Sequence, residues 1–392
     1  MNKSSIYNTL ILLPFYWLFS GMLLMSGGDK PMVAMVIISI IATLCCYGLS
    51  IAKINIKQDK FLWALLAMTG YALFSYHYHG YSSRELRSLL CASLFLTFFP
   101  RHLISRKLLS GLLVTGSICS FATAFYYGQY LNIVRWEWPI NAIPQATLSS
   151  AISLAALSIA IEAKKLERYS LFFAFIAGTI AVVISESRGL WLAHSIVSIL
   201  ILLVKLRHCL VSKKNAVIIL ALFVTSCFAV APVVESRIDA TRYEIQQIEQ
   251  GNFRTSIGQR LEMWMTAPKL VSDNLILGLG GTLHSKFIEL EQQGLIPDGI
   301  KGDNPPHYHN QYIDRVIKGG FIGLALLLLL IVTPLTSLAR RMGTTRYISG
   351  SLVLLYSIAG LTDVPFNHGQ TILLFTLLLG SLRTQTTKET YD

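Results

Sequence analysis

Charge is scarce in this chain. Asp, Glu, Lys and Arg make up 14% of its 392 residues, against 53% for apolar types. That balance excludes an ordinary soluble protein. C-x-x-C spacing is also missing, and the longest polar stretch holds no cysteine, so a disulfide framework is not expected. Cys45, Cys46, Cys91, Cys119 and Cys227 fall in apolar runs and Cys209 in a short basic loop, where they read as small core residues. No internal repeat, low-complexity tract or linker divides the sequence, which therefore reads as one domain over 1–392. The first apolar run lacks a small-residue cleavage site and is too long for a signal-peptide core, so it should persist as a helix.

What is present is a series of apolar runs, each long enough to cross or nearly cross a hydrocarbon core of about 30 Å. Twelve are counted, at roughly 6–26, 31–50, 61–79, 86–100, 108–127, 145–163, 169–185, 189–206, 215–234, 312–338, 347–361 and 366–382. Backbone polar groups in lipid must be satisfied within their own element, so the runs are expected to be helices. The fourth and eleventh are short enough to be tilted or re-entrant. The expected fold class is all-α: a polytopic membrane protein with about 12 transmembrane helices and one large, partly helical loop at 235–310.

Orientation follows from the basic residues. With the N-terminus inside, the inner loops carry Lys53, Lys57, Lys60, Arg101, Arg106, Lys107, Lys164, Lys165, Arg168, Lys205, Arg207, Lys213, Lys214, Arg340, Arg341 and Arg346. The short outer loops carry only Lys30, Arg84, Arg87, Arg135 and Arg188. This asymmetry fits the positive-inside rule with both termini cytoplasmic. It also accounts for most of the net charge of +12, so no nucleic-acid partner is called for. The 235–310 loop then faces outward, into the periplasm of a bacterium with two membranes. Within it, 235–250 has near-helical apolar spacing ended by Gly251-Asn252, and Ser256 is placed to cap a second helix running to Val271. Asn274 to Gly281 reads as a mobile turn, and Gly299 to Pro306 as an irregular lead-in to His307-Tyr308-His309-Asn310.

Chemistry concentrates there. His309 can act as a general base near neutral pH, with Asn310 orienting it or a substrate hydroxyl; a surface histidine capping the next helix is the plain alternative. His307 and His309 together make at most half a metal site, so no metal is expected. Arg188, at a tight turn between apolar runs, either snorkels to the interface paired with Glu186 or grips a lipid-linked phosphate through its planar fork. Arg260 is either a solvated surface charge or a second such grip. Asp363, beside hydrocarbon, either caps a helix end or pairs with an arginine or the histidine. Arginines, a base and a carboxylate on one face suit displacement at a sugar carbon bearing a diphosphate.

These residues resemble the O-antigen ligase and polymerase superfamily. The resemblance rests on His309-Asn310, the nine residues Gln311 to Gly319, then Gly320-Phe321-Ile322-Gly323, with Arg188, the Arg260…Trp264 helix and the Gly278-Leu279-Gly280 turn in corresponding places. A proline often present before that turn is replaced by Asn274-Leu275-Ile276-Leu277. Length and helix number are most similar to the ligases. The resemblance implies metal-independent, inverting transfer of O-antigen from undecaprenyl diphosphate to a sugar of the lipid A core, without a cofactor, in the bacterial inner membrane. It implies His309 as base, Arg188 and Arg260 on the diphosphate, and Asn310, His307 and Asp363 in support. An O-antigen polymerase, a protein O-oligosaccharyltransferase and, from another class, a lipid-linked sugar transporter are the alternatives.

Overall fold

The computed structural model describes residues 3–206, 235–336 and 344–382. The ninth apolar run, with Cys209, Cys227, Arg207, Lys213, Lys214, Arg340 and Arg341, lies outside the described residues. Every described element is helical. The other eleven runs coincide with helices: α1 (Lys3–Leu18) with the short α2 (Gly21–Leu24), α3 (Met32–Tyr47), α5 (Lys60–Tyr78), α6 (Ser83–Phe98), α7 (Arg106–Phe125), α8 (Ala142–Ala160), α9 (Lys165–Ile184), α10 (Arg188–Leu206), α14 (Gln311–Thr336), α15 (Thr344–Ala359) and α16 (Gly369–Ser381). Five spans among the described residues are long and apolar enough to cross a membrane, and six if α3 is joined to α4 (Ser50–Gln58) across a 106° bend. The remaining runs among the described residues form helices shorter than a full span or diluted by polar residues, and the ninth run is not among them.

The bundle is built around α8, which is buried along nearly its whole length. Its sequence is almost all Ala, Ser, Ile and Leu, and small residues let neighbouring backbones approach. At Gly178 of α9 an added Cβ would stand 2.6 Å from Ser153 Cβ, so α8 and α9 meet nearly backbone to backbone. Three of its four serine hydroxyls bond back to carbonyls about one turn earlier, Ser149 to Gln145 (2.8 Å), Ser153 to Ser150 (3.1 Å) and Ser158 to Leu154 (2.8 Å).

Polar contacts between loops fall into two sets. In one, Arg101 pairs with Asp59 (2.5 Å), Arg106 with Glu167 (3.0 Å), and Thr344 donates to Glu162 (2.6 Å). In the other, Asp29 holds Arg84 (3.2 Å) and Arg87 (2.6 Å), Arg84 also donates to Gln370 (2.5 Å), and the segments around 188, 260, 309 and 363 gather. The sets correspond to the loops expected inside and outside.

The long polar stretch has a small core of its own. Helix 235–249 (α11) ends where expected, with Gly251 at φ +81. Helix α12 (Ser256–Val271) starts as expected, but the cap is Thr255, whose hydroxyl accepts from the Gly258 amide (3.1 Å), rather than Ser256. A further helix, α13 (Leu283–Gln292), follows. Met263, Leu270, Leu283, Phe287, Ile300 and Tyr308 bury together against Ile317 of α14.

The 274–281 segment is no free turn. Leu279 donates to the Ile317 carbonyl (2.7 Å), Phe321 to Leu275 (2.8 Å), and the Tyr71 hydroxyl to both Gly319 (2.6 Å) and Leu277 (3.1 Å). Residues 319–320 break α14 to receive it: Gly320 sits at φ +59, where an added Cβ would lie 2.1 Å from the Ile276 oxygen. Gly278, at φ +72, faces the same break with an added Cβ 2.5 Å from the Gly320 nitrogen.

Candidate active site

The segment carrying the histidines is fixed through Tyr308, whose side chain is fully buried. Its amide donates to Asp314 (3.1 Å) and its carbonyl accepts from the Trp264 indole (2.8 Å). Asp314 is held in turn by Asn367 (2.6 Å) and Lys318 (2.9 Å), and Lys318 also donates to the Pro306 carbonyl (2.8 Å). With both backbone groups of Tyr308 engaged, the chain must turn sharply to start α14, and His309 takes φ +46. A left-handed conformation at a residue with a Cβ costs about 1–2 kcal/mol, which these surrounding bonds offset.

Asn310 is committed to backbone. Its side-chain oxygen accepts from the amides of Tyr312 (3.0 Å) and Ile313 (3.1 Å), capping α14, and its amide donates to the Leu361 carbonyl (3.2 Å). It therefore positions the turn and ties it to the 360–363 segment, and makes no hydrogen bond to a histidine ring among the described residues. Below it, Arg315 pairs with Glu85 (2.6 Å), and the Tyr81 hydroxyl contacts both in a buried cluster that locks α14 to α6.

Asp363 lies in the turn four residues beyond the end of α15 and is buried, accepting from the Val364 amide, with Oδ2 unpartnered. His309 Nδ1 lies 3.9 Å from Asp363 Oδ1, longer than a hydrogen bond, and has no hydrogen-bond partner among the described residues. Burial pushes the Asp363 carboxyl above its ordinary range, opposed by the charges of His307 and Arg260. Burial, with His307 and Arg260, pushes His309 down to about 3, so its imidazole is neutral at physiological pH.

Arg188 opens α10, and Gly189 brings it against the same segment: an added Cβ at 189 would stand 2.1 Å from Thr362 Oγ1. Its guanidinium donates to Thr241 (2.6 Å) and Glu244 (2.6 Å) of α11, and Glu244 accepts from the Ile257 amide (2.8 Å) at the start of α12. The partner expected for Arg188, Glu186, is instead paired with Arg237. Arg260 is half-buried and makes no hydrogen bond or ion pair with the described residues. Burial lowers its proton affinity, the charge of Asp363 opposes that, and Arg188 adds to it. The structure thus brings His307, His309, Arg188, Arg260 and Asp363 into one neighbourhood from four separate stretches of chain.

Sequence reasoning passed over Arg237, Glu244 and His368. The polar quartet Asn367-His368-Gly369-Gln370 at the start of an apolar run was the available signal for His368. One grouping of potential ligands was not visible from spacing along the chain. His307, Asp363 and His368 place ligand atoms within 4.8 Å of one another, the one such group among the described residues. A tetrahedral zinc site, with metal–nitrogen bonds of about 2.0 Å, needs its ligands roughly 3.3 Å apart, so these residues would have to close in to hold one.

An uncharacterised protein of Haemophilus influenzae is similar to this chain, 27% identical over 276 residues, 66% of this chain and 66% of the relative. The match thus spans just under two thirds of that protein's length. Residues 173–328 match the family model described as O-antigen ligase. That segment carries Arg188, Arg260, His307, His309 and Asn310 and stops short of Asp363, and the match supports the O-antigen ligase superfamily, ligases and polymerases alike.

Proposed function

We propose that this protein is an O-antigen ligase, transferring a glycan from undecaprenyl diphosphate to a sugar hydroxyl of the lipid A core at the periplasmic face of the inner membrane, with both termini cytoplasmic. The observation that carries this reading is a neutral His309 near Arg260, which has no hydrogen-bond or ion-pair partner among the described residues, with Asp363 3.9 Å from the imidazole. The acceptor oxygen attacks the anomeric carbon as its proton passes to His309. The bond to the diphosphate oxygen breaks, and its electron pair leaves on the diphosphate, whose charge Arg260 and Arg188 stabilise. Asp363 steadies the imidazolium that forms. One displacement inverts the anomeric centre. Because the leaving group is already good and arginines offset its charge, the reading requires no metal.

A polymerase would use the same groups with another lipid-linked repeat as acceptor. Deleting the gene and separating the lipopolysaccharide by size distinguishes them. A ligase deletion leaves bare core and long chains stranded on the lipid carrier, whereas core capped with a single repeat points to the polymerase and an unchanged ladder contradicts both. Complementation with His309→Ala, present in the membrane at normal level, should fail to restore the ladder.

A further inference from the structure

The 274–279 segment docks on α14 at a definite height. Asp314, Arg315 and Lys318 stand on the first part of that helix, and from Gly319 to Thr336 it carries no charged residue. At 1.5 Å per residue the uncharged stretch is about 27 Å long, close to a hydrocarbon core of about 30 Å. The lipid boundary on α14 therefore falls near Gly319 and Gly320, where the helix breaks and the segment attaches.

Irregular backbone at that depth has no water to bond and must be satisfied by protein. Four successive carbonyls of the segment are. Asn274 accepts from the Gly278 amide (2.7 Å), Leu275 from Phe321 (2.8 Å), Ile276 from Ile322 (3.3 Å) and Leu277 from the Tyr71 hydroxyl (3.1 Å). The side chains at the tip are treated in the opposite way. Leu275 and Ile276 are exposed, Ile276 by 66%, and so are Phe321 and Ile322, whose amides they accept from. The apolar surface continues on α5, where Phe74 packs against Tyr71 (ring centroids 6.2 Å) and the exposed Tyr78 stacks on Phe74 (5.4 Å). Polar residues precede the tip: Ser272 and Asp273 are exposed, and Asp273 pairs with Lys286 (3.5 Å). A turn with its carbonyls paired and its apolar side chains bare is suited to hydrocarbon and poorly suited to water.

We propose that residues 274–279 form a re-entrant turn seated in the bilayer leaflet that borders the candidate site, with Leu275 and Ile276 in contact with lipid acyl chains. Bilayer hydrocarbon is the occupant because Phe321 and Ile322, bonded to the tip, already begin the uncharged stretch of a membrane-crossing helix. Helix α12 ends at Val271, just before the turn, so the seat holds the helix that carries Arg260 down against the membrane. The inference concerns where the chain meets lipid, and it stands or falls apart from the transferase reading.

The test is site-directed spin labelling of the full-length protein, its native cysteines replaced by alanine, in phosphatidylcholine nanodiscs. Labels are placed one at a time at Ile276→Cys, Leu275→Cys, Gln292→Cys and Leu328→Cys, all exposed positions, in proteins that keep the parent's melting midpoint. Collision of each label with oxygen, which concentrates in lipid, is compared with collision with a water-soluble nickel chelate. Gln292 on α13 is the water reference and Leu328 on α14 the lipid reference. The labels at Ile276 and Leu275 should favour oxygen over nickel, the reverse of Gln292, at a depth shallower than Leu328. Preference for nickel at both tip positions places the turn in water and overturns the inference. Exclusion of both reagents means that protein, such as a second copy of this chain, covers the tip, and overturns it as well. Preference for oxygen that develops only after a polyprenyl phosphate is added makes the occupant a polyprenyl chain rather than the bilayer, and equally overturns it.

Discussion

His309 and Asp363 are shifted in opposite directions by the same cause, removal from water, which disfavours the charged form of each. For His309 the sign favours its role as a base. A lowered pKa means the imidazole already lacks its proton at pH values where an ordinary histidine, near 6.5, would carry one. The kcat/KM profile reports the free enzyme, so its acid limb should lie well below 6.5, with activity held to about pH 5. A limb centred near 6.5 would show that His309 is not the group titrating. A base with so low a pKa is weak, and one of the charges depressing it is Arg260. A diphosphate on Arg260 relieves that repulsion, so the limb of kcat should stand at higher pH than that of kcat/KM. The titratable side chains themselves were legible as residue types beside apolar runs. Their partners were not: the Glu186–Arg237 and Arg188–Glu244 pairs cross long sequence gaps, and nothing local distinguishes them from the Arg188–Glu186 pair that spacing favours.

Between His309 and Gly323 the spacing has a mechanical origin. Asn310 caps α14, Asp314 and Lys318 hold the turn before it, and the break at Gly320 admits the 275–279 backbone. The interval measures the piece of helix between the histidine and the docking of that loop. The sequence signalled glycines on both sides, but a turn that looks mobile in isolation can be pinned by backbone amides and a carbonyl freed at a helix break elsewhere, which periodicity does not register. Gly320→Ala should therefore be severe, combining a positive φ with a backbone collision, at a cost of more than about 2 kcal/mol. Thermal unfolding in detergent checks this: a clearly lower midpoint is expected, and an unchanged one would contradict the docking. Gly350, whose added Cβ meets nothing within 4 Å, is the control and should tolerate Ala.

At the scale of the molecule, twelve apolar runs could be read from hydropathy, and the eleven among the described residues are helices, because lipid forces each run to satisfy its own backbone. How many of them cross could not, since a 16-residue helix such as α6 or α15 differs from a full span only through its neighbours. The candidate site lies where the second polar set meets the helix ends; on the proposed function, a lipid-borne diphosphate and an acceptor hydroxyl would meet there. The same place holds His307, Asp363 and His368, which offers the one competing chemistry. The most direct measurement is transfer of O-antigen from undecaprenyl diphosphate to lipid A core by the purified protein in liposomes containing EDTA, with metal content determined on the same sample. The account predicts glycan transfer at full rate in EDTA by a metal-free wild-type protein, and none by His309→Ala. Transfer that disappears with EDTA and returns with a divalent cation, or that persists in His309→Ala, would contradict it.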